Sequence, residues 1–170
     1  MKRVIALSGG AGSEKSSAIR TVRLVRDLLI SKYPNAKVIN LDPSLRVGIT
    51  ISVTIGTRQI GITSQGDVGQ LLRRSLKKFV SNGCMIIVCP IRTRGRTLDA
   101  VKRLVPPYEL ILIINPPRKR SEYDSNNKSD AKAIVAEIEE ALNSKLMTKS
   151  HPQISRPAST KQHYFRRHST

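Results

Sequence analysis

The sequence predicts an α/β protein: three layers, with a mainly parallel sheet flanked by helices and an antiparallel hairpin inserted in it. Three observations predict this. Four short runs rich in Ile, Val and Leu, at residues 2–7, 36–41, 84–89 and 109–114, are too continuous for half-exposed strands and suit strands buried on both faces. Segments of helical period lie between runs of this kind, the arrangement of parallel strands joined by crossovers. The chain holds two Phe, four Tyr and no Trp, so its core must be aliphatic.

The elements follow in order. In the first strand Val4, Ile5, Ala6 and Leu7 form an unbroken apolar run, and a Gly/Ser-rich loop follows at 8–17. A helix is expected over about 16–31, with Ala18, Ile19, Val22, Val25, Leu28 and Leu29 on one face and Arg20, Arg23 and Arg26 on another. Tyr33-Pro34-Asn35 stops it, and the second strand closes on Asp42-Pro43. The period then changes to two. Val47, Ile49, Ile51, Val53 and Ile55 alternate with small polar residues, and the alternation resumes from Arg58 with Ile60 and Ile62. This is the pattern of a hairpin turning at Gly56-Thr57.

Ser64-Gln65-Gly66-Asp67 leads into an amphipathic helix ending near residue 80. Val68, Leu71, Leu72, Leu76, Phe79 and Val80 face inward, and Arg73, Arg74, Lys77 and Lys78 face water. Ser81-Asn82-Gly83 stops it. The strand at 84–89 runs into the basic segment Arg92-Thr93-Arg94-Gly95-Arg96. A short helix over 97–105, a strand at 109–114, a polar loop at 115–128 and a last helix over 129–146 complete the expected domain, residues 1–147. Residues 148–170 are rich in Pro, Ser, His and Arg without periodicity and read as a basic, disordered tail. Cys84 and Cys89, five apart on one expected strand, would point to opposite faces; they read as packed thiols rather than a disulfide or metal ligands.

Charge narrows the partners. Thirty Lys and Arg against twelve acids give +18, and the tail contributes only five of the cations, so the body keeps +13. Such a field attracts nucleotides, nucleic acid or an acidic partner. No apolar run is long enough for a signal peptide or a membrane span, so the expected location is the cytoplasm, with no membrane partner.

The loop after the first strand carries the most chemistry. In a parallel α/β fold ligands bind at the carboxyl ends of strands, where helix N-termini present free N–H groups. Here that place holds Ser8-Gly9-Gly10-Ala11-Gly12-Ser13-Glu14-Lys15-Ser16-Ser17. The loop resembles the Walker A loop of the P-loop NTPase superfamily, G-x-x-x-x-G-K-[ST]. The resemblance implies that residues 9–17 cradle the phosphates of ATP or another NTP, that Lys15 reaches them and that the Ser16 hydroxyl binds Mg²⁺. Glu14 departs from the pattern, standing where the second glycine belongs, and its carboxylate opposes a phosphate's charge. Length and the basic loop are similar to the small nucleotide- and nucleoside-kinase branch, which implies transfer of the γ-phosphoryl group to a small acceptor.

Other candidates stand at strand ends. Asp42 is either an acceptor-binding acid or base, or half of an ordinary Asp-Pro turn. Asp67 is either a helix N-cap or a group that holds Mg²⁺ through water or orients substrate. Arg92, Arg94 and Arg96 are placed to clamp phosphates and stabilise transferred charge. The strand at 84–89 continues into Pro90-Ile91-Arg92 without the Walker B acid that the resemblance calls for. His151, His163 and His168 all fall in the tail. The competing reading is a nucleic-acid-binding protein or non-catalytic subunit on a decayed P-loop scaffold. Nine cations against the single Asp99 between Leu71 and Leu104 favour it.

Overall fold

The computed structural model describes residues 2–9, 13–45, 48–114 and 120–143. The expected tail and its three histidines lie outside the described residues. Six strands and four helices alternate as β1 (Lys2–Gly9), α1 (Ser13–Lys32), β2 (Lys37–Asn40), β3 (Thr50–Ile55), β4 (Arg58–Thr63), α2 (Gly69–Ser81), β5 (Ile86–Arg92), α3 (Arg96–Lys102), β6 (Tyr108–Ile114) and α4 (Tyr123–Asn143). A 3₁₀ turn over Arg120–Glu122 enters α4, which therefore begins well inside the stretch expected to be a polar loop.

One sheet runs in the order β2-β3-β4-β5-β1-β6. β4, β5, β1 and β6 are mutually parallel, and β3 is antiparallel to both β2 and β4. β1 is central to the parallel set, with Val4, Ile5, Ala6 and Leu7 wholly buried. Its alternate side chains feed two cores. Ile5 and Leu7 pack with Val22, Val25 and Leu29 of α1 and with Ile134 and Ile138 of α4. Val4 and Ala6 pack with Leu72, Leu76 and Phe79 of α2 and with Ala100 and Val101 of α3. The helices thus cover both faces in pairs.

Two expectations change. The second strand is not part of the buried parallel set: β2 is an edge strand whose four residues are all exposed, and the hairpin lies between it and β5. Among the described residues nothing helical separates β2 from β3, and the chain returns beside itself antiparallel, while β4 is carried by α2 into a parallel pairing with β5. The turn itself is the expected one, with Ile55 opposite Arg58 and Gly56 at φ 59°. The second change concerns the cysteines. Cys84 precedes β5, so strand alternation does not govern it, and both thiols sit in the α2–α3 core as free, buried groups. Burial raises the pKa of both, that of Cys89 to about 12, which keeps them protonated and inert.

β4 owes its place beneath α2 to close contact. A Cβ on Gly61 would stand 2.5 Å from Cγ of Phe79, so the ring lies directly on the strand backbone. Beside it, Thr50 Oγ1, Thr63 Oγ1 and Ser75 Oγ form a buried hydroxyl cluster that ties the hairpin to α2. Gly61→Ala should therefore lower unfolding free energy by about 1–3 kcal/mol, the usual range for overpacking, measured by urea denaturation; an unchanged midpoint would show that the ring moves aside freely.

Candidate functional site

The chain leaves β1 on one face of the sheet and β5 on the other. α1, which follows β1, packs with α4, whereas α3, which follows β5, packs with α2. The boundary between β1 and β5 is thus a topological switch point, and a crevice opens there at the carboxyl ends of the strands. The register brings Gly9 of β1 directly opposite Arg92 of β5, and Ser8 opposite Ile91.

The crevice is lined by Ala18 and Ile19 of α1, by Gly66 and Asp67 of the β4–α2 connection, and by Pro90, Ile91 and Arg92 of β5. Gly66 makes the approach possible: a Cβ there would fall 2.6 Å from the carbonyl oxygen of Pro90. Gly69, which opens α2, lies as tightly against Arg96, where a Cβ would come within 2.7 Å of the arginine Cβ. The starts of α2 and α3 and the tip of β5 therefore hold one another. The enclosed space is about 10 Å³, room for a single water, so any larger ligand sits over the rim rather than within it.

Asp67 does not cap α2. The N-cap position belongs to Val68, which makes no side-chain cap hydrogen bond, and Asp67 instead borders the crevice. The arginine segment divides. Arg92 lines the crevice, and its backbone N–H donates to Oγ1 of the buried Thr97 (2.9 Å), which anchors the strand end to the first turn of α3. Arg94 and Arg96, exposed as Arg92 is, do not line it, and Arg96 already belongs to α3.

Of the loop assigned to phosphate binding, Gly10, Ala11 and Gly12 lie outside the described residues. Gly9 ends β1, and Ser13, Glu14, Lys15 and Ser16 form the first turn of α1, described for backbone only. Ser17 is turned away from the rim. Its buried hydroxyl donates to Oδ1 of Asn127 in α4, which Thr21 Oγ1 also meets at 3.3 Å. This contact fixes the α1 turn that follows Lys15 and Ser16. Ser8 behaves otherwise: its Oγ is buried at the tip of β1 and has no hydrogen-bond partner among the described residues.

Asp42 is at the same rim but distant. It follows the edge strand β2, four strand positions from β1, roughly 19 Å at ordinary strand spacing. Its carboxylate accepts a hydrogen bond from Ser44 Oγ (2.6 Å) and pairs with Lys78 Nζ (2.9 Å), which also donates to the Leu41 carbonyl oxygen (2.8 Å). Ser44 first, then Lys78, holds its pKa below the ordinary value. The arrangement is that of a structural tie between α2 and the sheet edge.

The residues that sequence reasoning did not single out here are Pro90 and Thr97. Thr97 had a visible signal, a hydroxyl residue opening a helix just after Gly95. Pro90 had none, because its role is to meet Gly66 across the β4–β5 boundary. Among the described residues no group of three or more His, Cys, Asp or Glu is arranged to hold a metal ion, and no helix is long and apolar enough to cross a membrane. Comparison with known proteins finds no relative: no family model, curated protein or solved structure matches the chain.

The Asp42 tie has a pH signature. Because its folded pKa lies below the value of 3.8 expected of a free carboxyl, its contribution is fully present above that pH and is lost as pH falls through the depressed folded value. Asp42→Asn should flatten the decline of unfolding free energy in that acid window and leave the slope near neutrality unchanged. An identical acid limb in native and variant would remove the tie.

Proposed function

We propose that the chain is a nucleotide-binding protein of the P-loop type, holding the phosphates of ATP or another NTP over the switch point between β1 and β5. One observation carries the reading: the glycine-rich connection leaves β1 at Gly9, opposite Arg92 in register, and delivers the chain to the N-terminus of a twenty-residue helix. A phosphate there meets the positive end of the helix dipole, Lys15 from the first turn and the guanidinium of Arg92. Asp67 adds one carboxylate on the near side of the crevice.

That donor set suits a Mg²⁺ ion carried in by the nucleotide. Magnesium is commonly held by one or two carboxylates together with substrate phosphates and waters, and Asp67 with the Ser16 hydroxyl would be the protein's share. No second carboxylate stands at the tip of β5, where Arg92 occupies the place. The reading therefore favours phosphate binding first. Phosphoryl transfer to a small acceptor, with Arg92 and Arg94 stabilising charge on the moving group, is the activity such a rim would support.

Titration calorimetry with ATP–Mg²⁺ tests the proposal on the native chain beside Lys15→Ala, Arg92→Ala and Glu14→Gly. Native protein should bind; Arg92→Ala should bind roughly tenfold more weakly, the loss of one charge-assisted hydrogen bond; Lys15→Ala should bind least; and Glu14→Gly should bind more tightly than native. Equal binding by native and Lys15→Ala, or no heat from native and Glu14→Gly alike, would overturn it.

A further inference from the structure

The outer faces of α2 and α3 enclose a second feature, independent of the rim. A groove of about 370 Å³ runs between the later turns of the two helices. Its walls and floor include Leu76, Val80, Ala100 and Leu104, and Val80 is 43% exposed. Three cations border it: Arg73 and Lys77 from α2 and Arg103 from α3. No acid lines it, and none of the three makes an ion pair among the described residues; Asp99, one turn before Arg103, makes none with it either. Nε of Arg73 is buried with no hydrogen-bond partner among the described residues.

Helix C-termini favour nearby cations, which accounts for Arg103 at the end of α3. The dipole does not account for the rest. Arg73 lies near the middle of α2, and its spacing of four from Lys77 sets two like charges side by side, an arrangement that destabilises an isolated helix. An apolar trough with uncompensated cations on both banks is complementary to an anionic amphiphile. Nucleic acid supplies the negative charge but no apolar side chains for the floor. A bilayer is too flat to enter a trough recessed between two helices.

We propose that this groove docks a short amphipathic helix of a partner protein, with apolar residues on one face and Glu or Asp flanking them. The apolar face fills the trough over Val80 and Leu104, and the carboxylates meet Arg73, Lys77 and Arg103. The groove and the β1–β5 crevice share no lining residue, so a partner seated in the groove does not occupy the proposed phosphate site.

The test uses the full chain and a fluorescein-labelled peptide of about 16 residues, long enough for helical structure, with Leu at helical spacing and Glu on both flanks. Fluorescence anisotropy should show saturable binding. Lys77→Glu and Val80→Asp should each weaken it about tenfold, whereas Arg23→Glu, an exposed charge reversal on α1, should leave it unchanged. A peptide of equal composition with its Leu spacing scrambled should fail to bind. Circular dichroism and thermal melts of each variant establish that the fold is intact. The inference is overturned by no binding, by equal binding of the scrambled peptide, or by equal losses in Arg23→Glu and Lys77→Glu. It is also overturned if an oligonucleotide binds more tightly than the peptide, loses affinity in Lys77→Glu and is indifferent to Val80→Asp. That last outcome assigns the cations to nucleic acid.

Discussion

The structure depends on the complete enclosure of β1. Its two edges are hydrogen-bonded to β5 and β6 in register, and its two faces are covered by opposite helix pairs. A strand so placed has nothing left to present to solvent except its end. Because the helices after β1 and β5 depart on opposite faces, the ends of those strands cannot be covered by either helix, and a crevice there is a consequence of topology. What the sequence adds is the means of narrowing it. Gly66 lets the β4–α2 connection lie on Pro90, and Thr97 ties the β5 tip to α3, so the rim is held by backbone contacts rather than by long side chains.

This division between local and non-local causes explains what could be read in advance. The apolar runs, the amphipathic helices and the Gly56-Thr57 turn are local patterns, and the structure contains them, although α4 begins at Tyr123, well before its expected start. Three placements were not local. Nothing in residues 36–41 says that Val38 and Ile39 lie at an edge, 42% exposed, because that depends on where the hairpin inserts. Asp67 looked like a cap because it precedes an amphipathic helix; the cap position falls one residue later, at Val68, and the close contact of Gly69 with Arg96 is not visible in the local sequence. Asp42 stands at a strand end as expected, but the strand's place in the sheet, invisible in its own residues, carried it away from β1.

The basic charge is likewise organised by the fold rather than spread evenly. Acids collect at the α4 end of the molecule: Glu137 and Glu140 pair with the nearly buried Arg3, as does Glu109 of β6, and Glu139 pairs with Lys32 and accepts from Tyr33. The α1–α4 layer is therefore largely neutralised from within. Among the described residues the α2–α3 layer has Asp42 to hold Lys78 and little else, so its cations are less compensated than those of the α1–α4 layer. A long-range field of this kind concentrates anions near both features before any specific contact forms.

On the proposed reading, the two departures from the phosphate-loop pattern are linked by electrostatics. Glu14 is the second residue of α1, a position where acids in general stabilise a helix by about 0.3–1 kcal/mol without any ligand. Arg92 is displaced the other way: it stands opposite Gly9 at the strand end where an acid would hold magnesium. Against the phosphate-loop pattern the sequence thus exchanges signs, an acid standing where a glycine belongs and an arginine at the strand end where an acid belongs. On that reading an anion at the rim would gain the Arg92 guanidinium and be opposed by the like charge of Glu14. The proposal therefore makes those two residues, rather than the glycines around them, the ones whose substitution would decide whether the loop binds an anion.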